Sequence, residues 1–579
     1  MFCTNCGKEI PQGVAFCPAC GQAVTESAQQ ATTQPGAQTW QSAPSQKNKL
    51  PLILAGCAAA VLLLIVAAVL LLKGGFPGRA KADTLPAGYV ARQDMLSRVN
   101  SDDETMLFGF HSGIVTLDGG EPASYVSMAT SLDNTKAALI TGEDMILYYV
   151  ADGEATEIDD DVYGVWMSID GSALAYCKGN SRFYEGGPLF LWHPGDEKGT
   201  SVSDDCIGEA VFSANGAYLL FCEMTGEEEY VLTLYDVKNG EWEEFTDSSR
   251  ELVAVSVTDD ASMIVYGESG DSYSDPTDLY RTDGKKDTYL GQVFGMLPSF
   301  WVCFNKDCTE MIFYDLEEEV WYHMDRTGQL TELSGADSFM PISPATTASV
   351  AQDLTRGTRF IYGIPTFAGT FYREEYSDSD YTVYRFDKEF RSERFLRHVN
   401  LPSLSPDAKT MLYRRDDGIY SISPDAKSES EERLIVALDE DEISSASYNL
   451  TNDITFYVDP DGVLFYMGKN GGEAVALTGR NGLDTYTFSS SAEFTFAYGY
   501  ITGTDTLLFI EDGAAMRSIS GGTPEELTEI EGDVYYIGGN SRMGLIVMTH
   551  LGSTDAFYVT TDGVTFTLVT DEADVHEIY

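Results

Sequence analysis

Three stretches, "SIDGSALAYC" from Ser168, "SANGAYLLFC" from Ser213 and "TDDASMIVYG" from Thr258, begin 45 residues apart, twice in succession. Each is a polar turn followed by an apolar run that ends on an aromatic anchor: Tyr176, Phe221 and Tyr266. Related runs end on Tyr314, Tyr362, Tyr413, Tyr457 and Tyr498, and weaker ones carry Phe108, Leu139 and Val547. Second strands such as "PLFLWH", "LTLYDVKNG" and "TDLYRTDG" follow many of them. Units of 40–50 residues built from short strands and Asp/Asn/Gly turns cannot bury both faces alone, so neighbours must pack around an axis as propeller blades do. The fold class expected over 85–579 is mostly β, a β-propeller-type repeat region. Eleven anchors exceed the four to eight blades usual for one propeller, so one large or two consecutive propellers are expected, with a possible division near 341–357.

The chain opens differently. "MFCTNCGKEIPQGVAFCPACGQ" sets Cys3, Cys6, Cys17 and Cys20 as two C-x2-C pairs, each followed by glycine. That spacing puts two thiolates on each of two tight turns, which is the tetrahedral ligand set zinc(II) takes in structural sites. Four protein ligands leave no open position, so the metal is structural and supplies the folding energy of a module, 1–22, that has almost no core. Residues 23–48 have a linker composition. From Leu50 to Leu72 no residue is charged, and about 34 Å of helix crosses a hydrocarbon core of about 30 Å. Residues 49–73 are therefore expected to be one transmembrane helix. "LAGC" around Cys57 imitates a lipoprotein cleavage box, but the apolar run continues past it.

Residues 1–82 hold six basic and two acidic residues, leaving 30 basic and 89 acidic beyond them. So acidic a surface repels phosphate backbones, which excludes nucleic acid as a partner of the large portion. No catalytic motif stands out. The six histidines are scattered, no H-E-x-x-H or G-x-S-x-G occurs, and pairs such as "DEDE" (Asp439 to Glu442) arise by chance among 91 acids. "DPDG" (Asp459 to Gly462) reads as a hairpin turn better than as a calcium loop. Cys177 and Cys222 occupy equivalent repeat positions, and packing explains them better than a bond. Cys303 and Cys308 are close enough in sequence for a disulfide.

The opening motif resembles the short zinc ribbon at the N-terminus of many bacterial membrane proteins, and "SPDAKTMLY" (from Ser405) resembles WD40-like and TolB-like blades of bacterial envelope proteins. Those resemblances imply a ribbon in the cytoplasm and a propeller outside a single-pass cell membrane anchor. A thiolate site also persists best in a reducing compartment, although flanking lysines and arginines lean slightly the other way. The expected function is non-catalytic: a membrane-anchored binding, sensory or scaffold protein. The propeller would take a protein or glycan ligand, and the ribbon a cytoplasmic protein partner. The alternative is an envelope glycan-active enzyme using carboxylates in a propeller funnel. The motif predicts one zinc per chain by elemental analysis, and Cys6→Ser or Cys17→Ser should abolish it.

Overall fold

The computed structural model gives the 45-residue repeat a physical cause in one turn. Its described residues run from 85 to 573, excepting short internal stretches of which the longest is 480–497. In the first repeat Ser168 Oγ donates to Asp170 Oδ1 (2.8 Å), which also accepts the Ser172 N–H (2.9 Å), while Ser168 Oγ accepts the Ala173 N–H (3.0 Å). The same trio recurs at Ser213, Asn215 and Tyr218, at Thr258, Asp260 and Met263, and at Ser405, Asp407 and Thr410. Ser131, Asp133 and Lys136 repeat it again, and at Asn305 an amide oxygen does the work, accepting the Thr309 and Glu310 N–H groups. Ser131, Ser168, Ser213, Thr258, Asn305 and Ser405 are all buried. A buried hydroxyl needs its partners, so this motif fixes where the first strand of each repeat turns into the second.

From that turn each repeat continues as an antiparallel meander of short strands. Among the described residues there are nine hydrogen-bonded sheets and no α-helix, only a 3-10 turn at Glu429–Glu431. Two sheets are seven-stranded because a 13-residue strand serves two meanders. Thr200–Phe212 pairs outward with Gly187–Trp192 through its first half and with Tyr218–Gly226 through its second. Ser392–Leu404 does the same between Asp380–Phe386 and Met411–Arg415. The chain bends where each strand changes partner. Gly208, at φ +71°, lies in the irregular stretch between Ile207 and Val211, and His398, at φ +49°, precedes the second crossing. Separating these pairs leaves eleven meanders in succession, which we number in chain order: 97–117, 128–159, 162–206, 206–248, 252–293, 302–332, 371–399 with Phe339–Ile342, 400–437, 447–476, 498–526 and 533–573.

Apolar clusters join each meander to the next. Leu107 of the first packs with Leu139 of the second, Ile140 with Leu174 of the third, and Phe221 of the fourth with Leu189 of the third. The series continues to the last, where Met106 and Phe108 of the first meander pack with Ile546, Met548 and Phe557 of the eleventh. First and last sheets therefore meet. A second contact crosses the series: Leu132 and Ile169, in turns of the second and third meanders, and Val90 join the core of the fifth and sixth. Val90 N–H also donates to Gly363 O (2.6 Å) and Gln93 N–H to Asp133 O (2.8 Å).

The aromatic anchors mark second strands in most repeats. Tyr176, Tyr266, Tyr413 and Tyr457 each stand opposite and stack on an aromatic of the third strand: Phe190, Tyr280, Tyr420 and Phe465. Tyrosine suits these places because its hydroxyl reaches polar edges, as in Tyr176 to Asp159 (2.9 Å) and Tyr413 to Glu432 (2.7 Å). Two anchors are corrected. Tyr498 opens the inner strand Tyr498–Ile501 instead of a second strand, and the second strand there is Thr506–Glu511. Tyr362 closes Phe360–Tyr362, which belongs to an added hairpin beside the sixth meander, its Phe360 and Ile361 pairing parallel with Cys303 and Phe304. That added strand pair follows Phe339–Ile342, the first strand of the seventh meander, and precedes its second, Phe371–Ser377. The seventh meander, built around Tyr372, had no anchor in the sequence reading because its first two strands are separated by the hairpin.

Among the described residues no helix is long and apolar enough to cross a membrane; the expected ribbon, linker and span at 1–73 lie outside the described residues. Removing the Ser213 hydroxyl leaves the Tyr218 N–H without its partner, so Ser213→Ala should cost about 1–3 kcal/mol in urea unfolding, well beyond a serine change on an exposed turn.

Candidate functional site

The residues that the sequence singled out for metal, Cys3, Cys6, Cys17 and Cys20, lie outside the described residues, as do Cys57 and the acids Asp439 to Glu442. Among the described residues no group of three histidine, cysteine or acidic side chains could hold a metal. Asp459 is a turn residue: its carboxylate accepts the Val463 N–H (2.9 Å) and its carbonyl the Gly462 N–H (3.0 Å). Cys303 and Cys308 are not joined by a disulfide and pack in different cores, Cys303 with Trp321 and Cys308 with Phe304. Cys177 and Cys222 are equivalent, each joining the cluster that its meander shares with the next.

Most acids that the structure engages are consumed locally. Asp170 shows how. Burial works to raise its carboxyl, but the hydroxyl and N–H of Ser172, the Ser168 hydroxyl and the Lys136 charge outweigh it and hold the group below its ordinary value. Asp407 is held down likewise, against burial, by Lys409 and Ser405. Asp94, fully buried, accepts from the Met95, His111 and Ser112 N–H groups and from the Ser112 hydroxyl (2.7 Å), fixing the last hairpin of the first meander.

One cluster differs, because it places an acid and a base together in the interior. Glu310 and His323 are 1% and 0% exposed. Glu310 follows the Asn305 turn at the position held by Ala173, Tyr218, Met263, Lys136 or Thr410 in other repeats, and His323 lies on Val320–Met324, the strand paired with the one that Glu310 immediately precedes. Both Glu310 oxygens accept the Thr366 hydroxyl (2.8 Å each), and Oε2 accepts the Phe367 N–H (2.9 Å). His323 Nε2 stands 3.8 Å from Oε2, beyond hydrogen-bond length, and Arg326 reaches Oε1 at 3.5 Å from the surface. The His323 ring stacks on Phe390 at 4.1 Å and meets Phe367 edge-on. Burial pushes the Glu310 carboxyl up, yet His323, the Phe367 N–H and Thr366 together hold it below its usual range. Thr366, Phe367 and Phe390 lead into or belong to the seventh meander, so the cluster clamps the sixth meander to the seventh. Sequence reading passed over both residues, since the histidines look scattered. The available signal was an acid at a repeat position that no other of these turns gives to an acid.

The exposed histidines share a pattern. His550 Nδ1 meets Asp555 Oδ1 at 2.6 Å while its ring stacks on Tyr535 at 4.1 Å, whose hydroxyl donates to Asp555 Oδ2 (3.2 Å). His398 Nδ1 meets Asp380 at 3.0 Å. These bonds orient imidazoles, and each aspartate lies within the same meander as its histidine.

Comparison with known proteins bears on the two ends of the chain separately. Residues 2–24 match the family of the zinc-ribbon domain. No curated protein matches the chain. Among solved structures the chain is similar to an oligogalacturonate lyase in complex with manganese, at 12% identity and TM-score 0.27, covering 67% of this chain and 96% of that one. It is similar to a TolB-type protein from Agrobacterium tumefaciens at 12% identity and TM-score 0.25, covering 41% and 87%. It is also similar to a eukaryotic initiation factor at 10% identity and TM-score 0.35, covering 66% and 96%. Likenesses at this level say nothing of activity.

Glu310 binds fewer protons folded than unfolded, so its contribution to stability is present above the unfolded carboxyl value of about 4.3 and is lost as pH falls through the lower folded value. Glu310→Gln weakens the hydrogen bonds from Thr366 and the Phe367 N–H, should cost about 1–3 kcal/mol at neutral pH, and should flatten the acid limb of stability against pH, read by denaturant titration from pH 7 to 3.

Proposed function

We propose that the chain is a single-pass, membrane-anchored binding or scaffold protein without catalytic activity. In this reading Cys3, Cys6, Cys17 and Cys20 hold a structural zinc in a cytoplasmic ribbon, residues 49–73 span the cell membrane, and the repeat region stands outside as a propeller. The observation that carries it is the closed succession of meanders, first packed on last, whose buried carboxylates are spent on turns and inter-sheet clamps. The zinc-ribbon match at 2–24 and the uncharged run from Leu50 to Leu72 support the rest. The crossing contact of Val90, Leu132 and Ile169 with the fifth and sixth meanders favours two consecutive propellers, the first formed by 128–332. The hairpin at 349–362 and the Glu310 clamp stand at the division.

A ring of sheets offers its turns and outer strands to partners while its core stays intact, which suits a protein whose work is binding. Protease added to intact cells carrying a tag at each terminus tests the topology. The C-terminal tag should be lost and the N-terminal one kept. Loss of the N-terminal tag alone would place the repeat region inside the cell and remove the envelope part of this reading.

A further inference from the structure

The outer strand of the fourth meander, Glu241–Ser248, is eight residues long and ends its sheet, pairing only with Glu229–Asp236 among the described residues. Its first four residues are exposed. Trp242 is 63% exposed, the most of any large apolar side chain in the described residues. On its face of the strand stand Glu244 and, past the bulge at Phe245, Asp247, with Glu241 and Glu243 on the other face, and none of these carboxylates takes part in an ion pair or a side-chain hydrogen bond among the described residues. The contrast is with Asp236 on the adjacent strand, whose carboxylate is held by the Lys238 and Asn239 N–H groups and the Asn239 amide.

Charges on a free edge guard against pairing with other strands. That accounts for the acids and leaves the tryptophan unexplained, since a defensive edge gains nothing from an exposed indole. A large aromatic face beside uncompensated carboxylates is instead what binds a cation through its ring and its charge together. A second copy is a poor occupant, because it would lay Glu against Glu between chains of net charge −55.

We propose that this edge is a docking strand for an extended, lysine- or arginine-rich segment of another protein. The segment adds to the sheet beside Glu241–Ser248 through main-chain hydrogen bonds, setting a cationic side chain over Trp242 and its neighbours against the carboxylates. This deepens the binding-protein reading by naming a partner class, and it holds on either side of the membrane.

The test is fluorescence anisotropy of a labelled octapeptide of alternating lysine and threonine titrated with the full-length protein. One-site, salt-sensitive binding is expected, weakened about tenfold or more by Trp242→Ala and by the combined Glu244→Gln and Asp247→Asn changes on the same face. An alternating lysine–proline peptide keeps the charge but cannot pair with a strand, and should bind the unaltered protein at least about tenfold more weakly. Equal binding of both peptides, or affinity untouched by Trp242→Ala, would mean diffuse attraction to an acidic surface and would overturn the proposal. Absence of any peptide binding would overturn it too, while leaving the topology result standing.

Discussion

The repeat region depends on a buried hydroxyl that is satisfied within six residues of itself. At Ser131, Ser168, Ser213, Thr258 and Ser405 the hydroxyl donates to the acid or amide two positions on and accepts an N–H five positions on. The arrangement is local, so it forms without help from distant chain, and it is directional, so it fixes the register of the hairpin that follows. One residue of slip would carry every apolar side chain of that hairpin to the opposite face. Sheets that bury both faces between neighbours tolerate no such error. The turn therefore sets the meander, and the meander's two apolar faces recruit the sheets on either side.

The same turns account for part of the acidity. Asp133, Asp170, Asp260 and Asp407 serve as acceptors there, and Asp236, Asp325, Asp387 and Asp562 cap other hairpins. At Asp170, Asp325, Asp387, Asp407 and Asp562 burial works to raise the carboxyl, but the hydrogen bonds it gathers outweigh that and hold the group below its ordinary value. The acids of Glu241–Ser248 gather nothing of the kind and stand free beside an exposed indole. Acidity in this chain is thus two things: a folding device in the turns, and an electrostatic surface along strand edges.

At the junction of the sixth and seventh meanders the repeat departs from its own rule. Asn305 replaces the hydroxyl, an acid, Glu310, takes the position five residues on, and an extra strand pair intervenes before the next sheet. The buried Glu310 with His323, Thr366 and the Phe367 N–H supplies a specific polar joint where the regular apolar succession is interrupted. Such a joint is directional where apolar packing is not, which suits a place where the chain leaves one sheet, returns to it, and then starts another.

What the sequence by itself determined is whatever is encoded over short range. The repeat period, the strands after each polar turn, most anchors and the four-cysteine ribbon motif were all legible, because hairpins and C-x2-C turns are set by neighbours in the chain. What only the tertiary structure decided involves partners far apart in sequence. Tyr362 looked like any other anchor, yet its strand pairs parallel with one that ends at Phe304. Tyr372 looked like nothing, yet it centres a meander whose inner strand, Phe339–Ile342, lies beyond an inserted hairpin. The meeting of Phe108 with Phe557, and of Glu310 with Thr366, leaves no periodic trace. Each is a single contact between distant segments, and the burial that makes it matter exists only once the sheets have closed on one another.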